Sequence, residues 1–175
     1  MLDSAAPLLE HWREFYLLVG TAAAALVALL FVAASIGAGY LSAERSAKTR
    51  TFMSPVVLHF TAVLFACMIG LIPTHTRASL GLFLAASAMA AAIYTAIILV
   101  RVLKDDTIDM ADRLAYGISP VIGYAAGLVS AGLFFMGSHR APDVLAAAIT
   151  WLLLVNIRNA WDLMLFLTAK HTDTH

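Results

Sequence analysis

Two charges and two carboxamides sit close together in the stretch Val155-Asn156-Ile157-Arg158-Asn159-Ala160-Trp161-Asp162-Leu163-Met164, inside the last long apolar block of the chain. Arg158 and Asp162 are four residues apart, so on a helix they share a face. A charge at membrane depth costs several kcal/mol or more, so each must face protein or water and find a partner. Asn159 and Asp162, three apart, share an edge, and a stripe Val155–Asn159–Asp162 borders the Arg158–Asp162 face. The chemistry open to this set is that of a hydrated vestibule or pore, with Arg158 attracting or neutralising charge and Asp162 tuning it. The structural alternative is an internal salt bridge, with Asn156 and Asn159 as interhelical glue.

Other polar residues fall near the same depth. His59 stands roughly 8 Å into its block at 1.5 Å per residue, while Arg158 is roughly 15–18 Å and Asp162 roughly 10–12 Å from the end of theirs. Tyr94, Thr95, Tyr124 and Ser35 complete a band to which every block contributes. His59 in a cavity with Asp162 would give a pH response near neutrality; bonded to a carbonyl or a neighbour, it is a structural pin. It is the one histidine well inside a block, so paired axial ligation of haem is not expected. His75 and His139 fall in short turns and make a weak metal pair. No HExxH, GxSxG or P-loop occurs, so neither a catalytic site, a cofactor nor a metal is expected. Cys67 lies in an apolar run and reads as a small buried side chain.

These residues need a scaffold that is mostly apolar. The 175-residue chain is 62% hydrophobic and 13% charged, with net charge zero, and its mean hydropathy is +0.87. Soluble domains are nearer half apolar and a quarter charged. No basic tract points to nucleic acid. Five apolar blocks, about 14–39, 54–72, 78–103, 115–137 and 143–169, approach or exceed the ~18–20 residues that cross a bilayer as helix. They do not alternate as barrel strands would, and backbone satisfaction in lipid leaves helix. The leader holds Asp3 and Glu10 and no Lys or Arg before Trp12, so the first block reads as a retained helix rather than a signal peptide.

The expected fold is all-α: a polytopic membrane protein of five transmembrane helices in one domain. Arg45, Lys48, Arg50, Arg101, Lys104, Arg113 and Lys170 fall on one side, and Arg13, Arg77 and Arg140 on the other. The positive-inside rule then puts the longer loops and C-terminus in the cytoplasm and the N-terminus outside, in a bacterial-type inner membrane.

Ser54-Pro55-Val56-Val57-Leu58-His59 and Ser119-Pro120-Val121-Ile122-Gly123-Tyr124 match at an offset of 65 positions. The same offset aligns Tyr94 with Asn159, and aligns the two short turns, with His75 near His139 and Arg77 near Arg140. This predicts one helix plus two tandem hairpins related by an axis along the membrane normal. Ser-Pro is also a common helix start, with Ser capping and Pro in the first turn. Gly123 and Gly127 form a GxxxG expected to pack within the protomer. The function expected is a small oligomeric channel or transporter for an ion or small polar solute, lined by Arg158, Asp162, Asn159, Asn156, His59, Tyr94 and Tyr124. The alternative is a non-transporting accessory or assembly subunit that docks its polar patch on a membrane-protein partner.

Overall fold

A computed structural model of the chain describes the backbone of residues 4–38, 43–103 and 117–169. The charged segment Lys104–Leu114 and the tail from Lys170 onward lie outside the described residues, as do the side chains of Arg45, Lys48 and Arg50. The described chain is helical, with no strand and a single isolated bridge between Ser4 and Thr76. A short helix α1 (Ala6–Leu9) and a 3-10 turn (Glu10–Trp12) precede five long helices: α2 (Arg13–Ala38), α3 (Ala43–Gly70), α4 (Arg77–Leu103), α5 (Ser119–Phe135) and α6 (Ala141–Ala169). Three stretches, Ala6–Ser35, Arg77–Val100 and Ala141–Asp162, are long and apolar enough to cross a membrane, whereas Pro55–Gly70 and Ser119–Phe135 are apolar but shorter.

The helix α3 differs from the sequence expectation. Ser54-Pro55 was expected to open it, but the helix is continuous from Ala43 and carries Pro55 inside. Pro55 removes one backbone donor and leaves the carbonyl four residues earlier without its helical partner. The preceding turns are rich in Ala, Glu, Lys and Arg, good helix formers, and their polarity suits a stretch where water can take that carbonyl. In α5 the matching Pro120 does fall in the first turn.

Four of the helices close a ring. The helix α3 packs on α4, α4 on α5, α5 on α6, and α6 back on α3, while α2 lies outside the ring against α3 and, less extensively, α6. Close approach rests on small residues. A Cβ on Gly123 would stand 2.6 Å from Leu152 of α6, and one on Gly81 would stand 2.9 Å from the Phe135 ring and 3.0 Å from the Ala131 carbonyl. Gly20 of α2 sits over Cys67, which is buried and unoxidised. Where four helices meet, the remaining void is about 30 Å³, room for only about one or two water molecules.

The two turns at one end are fixed by hydrogen bonds. Thr76 caps α4 by accepting from the Ser79 amide at 3.1 Å. Gly137, at φ +66, ends α5 in a Schellman motif, its amide donating to the Phe134 carbonyl and that of Ser138 to Leu133, both at 2.9 Å. The Ala5 amide donates to the His75 carbonyl at 3.0 Å, and Leu8 and Leu9 are buried, so the N-terminal segment covers this end. The Tyr16 hydroxyl donates to the Pro142 carbonyl at 3.1 Å, and Ser130 to the Ala141 carbonyl at 2.8 Å.

The two glycines of the GxxxG differ in what they face, which gives a test. Gly123→Ala drives a methyl into Leu152 and should destabilise by about 1–3 kcal/mol. A methyl on Gly127 would meet Ala88 at an ordinary 3.6 Å, so Gly127→Ala should be neutral or mildly stabilising through helix propensity, by up to about 1 kcal/mol. Thermal unfolding of both variants in detergent separates the two.

Candidate functional site

The polar residues singled out in the sequence divide into an interior set and an outward set. His59, Tyr124, Asn156 and Asn159 are buried, each 2% exposed or less. Arg158, Asp162 and Tyr94 point away from the bundle, with Arg158 53% and Asp162 36% exposed and Tyr94 36%. Thr95 is buried and returns its hydroxyl to the Ala91 carbonyl at 2.7 Å, while Ser35 bonds Phe31 on an exposed face. The helical period explains the split in α6: Asn156 and Asn159 are three apart and face the ring, and Arg158 lies some 100–200° round from them.

In the interior set, His59 Nδ1 and the Tyr124 hydroxyl are 2.6 Å apart, buried, across the diagonal from α3 to α5. Their rings are 5.5 Å apart. His59 therefore finds its partner in the bundle core, and the cavity shared with Asp162 that the sequence suggested is not formed. The reason is rotational: His59 faces the ring's centre and Asp162 faces outward. Asn156 donates to the Val56 carbonyl at 2.8 Å, tying α6 to α3 one turn from His59, and its own carbonyl oxygen is buried with no hydrogen-bond partner. Amide clamps of this kind hold helices together where lipid supplies no hydrophobic drive.

In the outward set, Arg158 Nε lies 3.8 Å from Asp162 Oδ2. That is Coulombic contact rather than a charge-assisted hydrogen bond, which closes to about 2.7–2.9 Å. Both groups therefore keep capacity for a further partner. Both also lie within the Ala141–Asp162 stretch that is apolar and long enough to cross a membrane. Sequence reasoning placed the pair on one helix face, but which way the face turns needed the packing of α6. Trp151 on the same side of α6 was not singled out in advance; its indole donates to the Ser119 carbonyl at 2.9 Å, at the start of α5.

Of the turn histidines, one has partners in the helix that follows it and the other is exposed. His75 Nδ1 meets Ser79 Oγ at 3.0 Å and its ring lies 5.4 Å from that of Phe83, whereas His139 is exposed. Among the described residues no three His, Cys, Asp or Glu side chains converge as a metal cage would require.

The interior pair yields a direct test. In a double-mutant cycle with His59→Leu and Tyr124→Phe, measured by unfolding in detergent, the coupling should fall between about 0.6 and about 1.7 kcal/mol, the range for polar contacts between membrane helices. His59→Gln should lower stability without creating a new pH dependence. Zero coupling would remove the pair as a structural clasp. No known protein family, characterised protein or solved structure matches the chain, so the roles of these residues rest on their geometry.

Proposed function

We propose that this chain is a five-span inner-membrane protein that acts as an oligomer, passing an ion or small polar solute along the Arg158–Asp162 face of α6. The observation that carries the proposal is the outward placement of two opposite charges inside a membrane-crossing stretch. Hydrocarbon solvates neither group, and a hydrated seam between protomers would solvate both. The ring's interior supports the same placement, since a void of about 30 Å³ leaves no room for a conduit within the protomer. Arg158 then sets the charge preference of the path and Asp162 moderates it. His59, Tyr124 and Asn156 stiffen the wall behind.

In this reading α3 and α5 also cross the bilayer, making one helix plus two tandem hairpins. The 65-residue offset receives support from an independent direction: His59 and Tyr124 are equivalent under it, and they touch each other. Equivalent residues meet in this way when they stand at a pseudo-two-fold axis, here along the membrane normal. The closed ring of α3, α4, α5 and α6 is the packing such an axis produces.

A second reading keeps the assembly without the transport. The filled protomer interior equally suits a subunit that covers its charged face with a different membrane protein. Purified protein in liposomes distinguishes them. Flux of a panel of small anions and cations should exceed that of empty vesicles, and Arg158→Gln should lower the preferred flux at least about tenfold, as loss of a pore-lining charge implies. No flux above background for any solute would leave the accessory role. Orientation is tested separately. Cysteines placed in 41–53 and 104–114 should resist membrane-impermeant reagents in intact cells, because Lys and Arg concentrate in those segments. Labelling of both from outside would reverse the topology.

A further inference from the structure

The outward faces of the long helices are not alike. On α2 they present Leu17, Leu18, Leu29, Phe31 and Val32; on α3, Phe65 and Met68; on α5, Ile122, Val129 and Phe135. All are side chains that hydrocarbon accepts; the exposed hydroxyls of Thr21, Ser35 and Thr61 donate to carbonyls of their own helices, and exposed Arg13 and Glu14 stand at the very start of α2. On α6 the outward residues include Ala147, Trp151, Leu154, Arg158 and Trp161, with exposed Ile157 on one flank and half-exposed Asp162 on the other. At 100° per residue the first five fall within an arc of about 80°, with Leu154 and Arg158 near its middle.

The 65-residue offset sharpens this contrast. It pairs Met89, Ile93 and Ile97 of α4 with Leu154, Arg158 and Asp162 of α6. Met89, Ile93 and Ile97 are 48%, 56% and 50% exposed, and Leu154 is 59%, against 53% and 36% for Arg158 and Asp162. Leu154 and Arg158 are thus as outward as their counterparts, and Asp162 somewhat less so than Ile97. At these three positions α4 carries only lipid-compatible residues, whereas α6 carries a cation and an anion beside Leu154. Trp and Arg are also the residue types that dominate protein interfaces, and charges brought together across a seam need opposite charges.

We propose that the face of α6 centred on Leu154 and Arg158 is the contact with a second copy of this chain, across a two-fold axis parallel to the membrane normal. This rests on the proposal above that protein, not lipid, meets the Arg158–Asp162 face. The occupant follows from charge. The face carries one cation and one anion, so it complements itself, as an isologous interface must. Two copies inserted in the same sense bring their α6 helices together in parallel. Asp162 is displaced from Arg158 by about 6 Å along the helix, a gap the arginine side chain spans, so each Arg158 reaches the other copy's Asp162. The loose 3.8 Å contact within one protomer leaves the guanidinium donors free to do so. Ala147, at the other end of the stripe, admits close approach of the two backbones.

Two experiments in native membranes test the interface without reference to flux. In a Cys67→Ala background, Leu154→Cys should cross-link to a species of twice the 18.7 kDa chain, and Met89→Cys, its counterpart on α4, should not. A cross-link from Met89→Cys alone, or a Leu154→Cys adduct of any other mass, overturns the proposal. Second, differently tagged Arg158→Ala and Asp162→Ala copies are co-expressed. Same-type pairs then bring like charges together, and mixed pairs keep one Arg158–Asp162 contact between copies and none within either. The ratio of mixed to same-type pairs should exceed its statistical value by about tenfold, the factor that about 1.4 kcal/mol gives. A statistical distribution overturns the cross-pairing. A dimer that forms but carries no solute would refute transport and leave the interface standing.

Discussion

Arg158 and Asp162 face outward on a stretch long and apolar enough to cross a membrane, and hydrocarbon solvates neither a guanidinium nor a carboxylate. Much of the fold can be understood as accommodating that demand. The helix α6 must be long and apolar enough to carry the pair to its depth, and it must be held in rotation so that the charges do not turn inward. The Asn156 clamp to Val56, the Trp151 hydrogen bond to Ser119 and the packing of Leu152 over Gly123 fix that rotation from three sides. Moving any of them would exchange a charged group for a carboxamide at the bundle core.

The interior solves a different problem. Helices in lipid gain little from burying apolar surface against one another, so close contact and internal hydrogen bonds supply the cohesion. Gly81, Gly123 and Gly20 let neighbours approach to distances a methyl would forbid. His59 and Tyr124 satisfy each other in the core, where an unpaired imidazole or phenol would be costly. The N-terminal segment, absent from expectations built on apolar blocks alone, closes one end of the bundle through Leu8, Leu9 and the Ala5 amide. Its apolar run is only a few residues long, too short for a periodicity to register.

Helix type was legible from the apolar blocks, because block length and backbone satisfaction leave no other choice in lipid. The starting point of α3 was not. Ser-Pro reads as a helix start, and whether the preceding polar turns remain helical depends on water reaching a carbonyl that Pro55 leaves bare. Spacing in sequence correctly put Arg158 and Asp162 on one face and set Asn159 to the side. It carried no information on whether His59 turns toward Asp162 or toward Tyr124, since both lie at similar depth and only the packing of α3 against α5 decides. The pairing of His59 with Tyr124 had a faint trace in the matching Ser-Pro hexapeptides, where the two residues hold the same position.

Protein or water, rather than lipid, should cover the charged face of α6. Spin labels placed singly at Leu154 and at Met89 in proteoliposomes, with Arg158 and Asp162 intact, test it through collision with molecular oxygen, which concentrates in hydrocarbon. Strong oxygen collision is expected at Met89 and much weaker collision at Leu154. Equally strong collision at both would place the face of α6 in lipid and contradict this expectation.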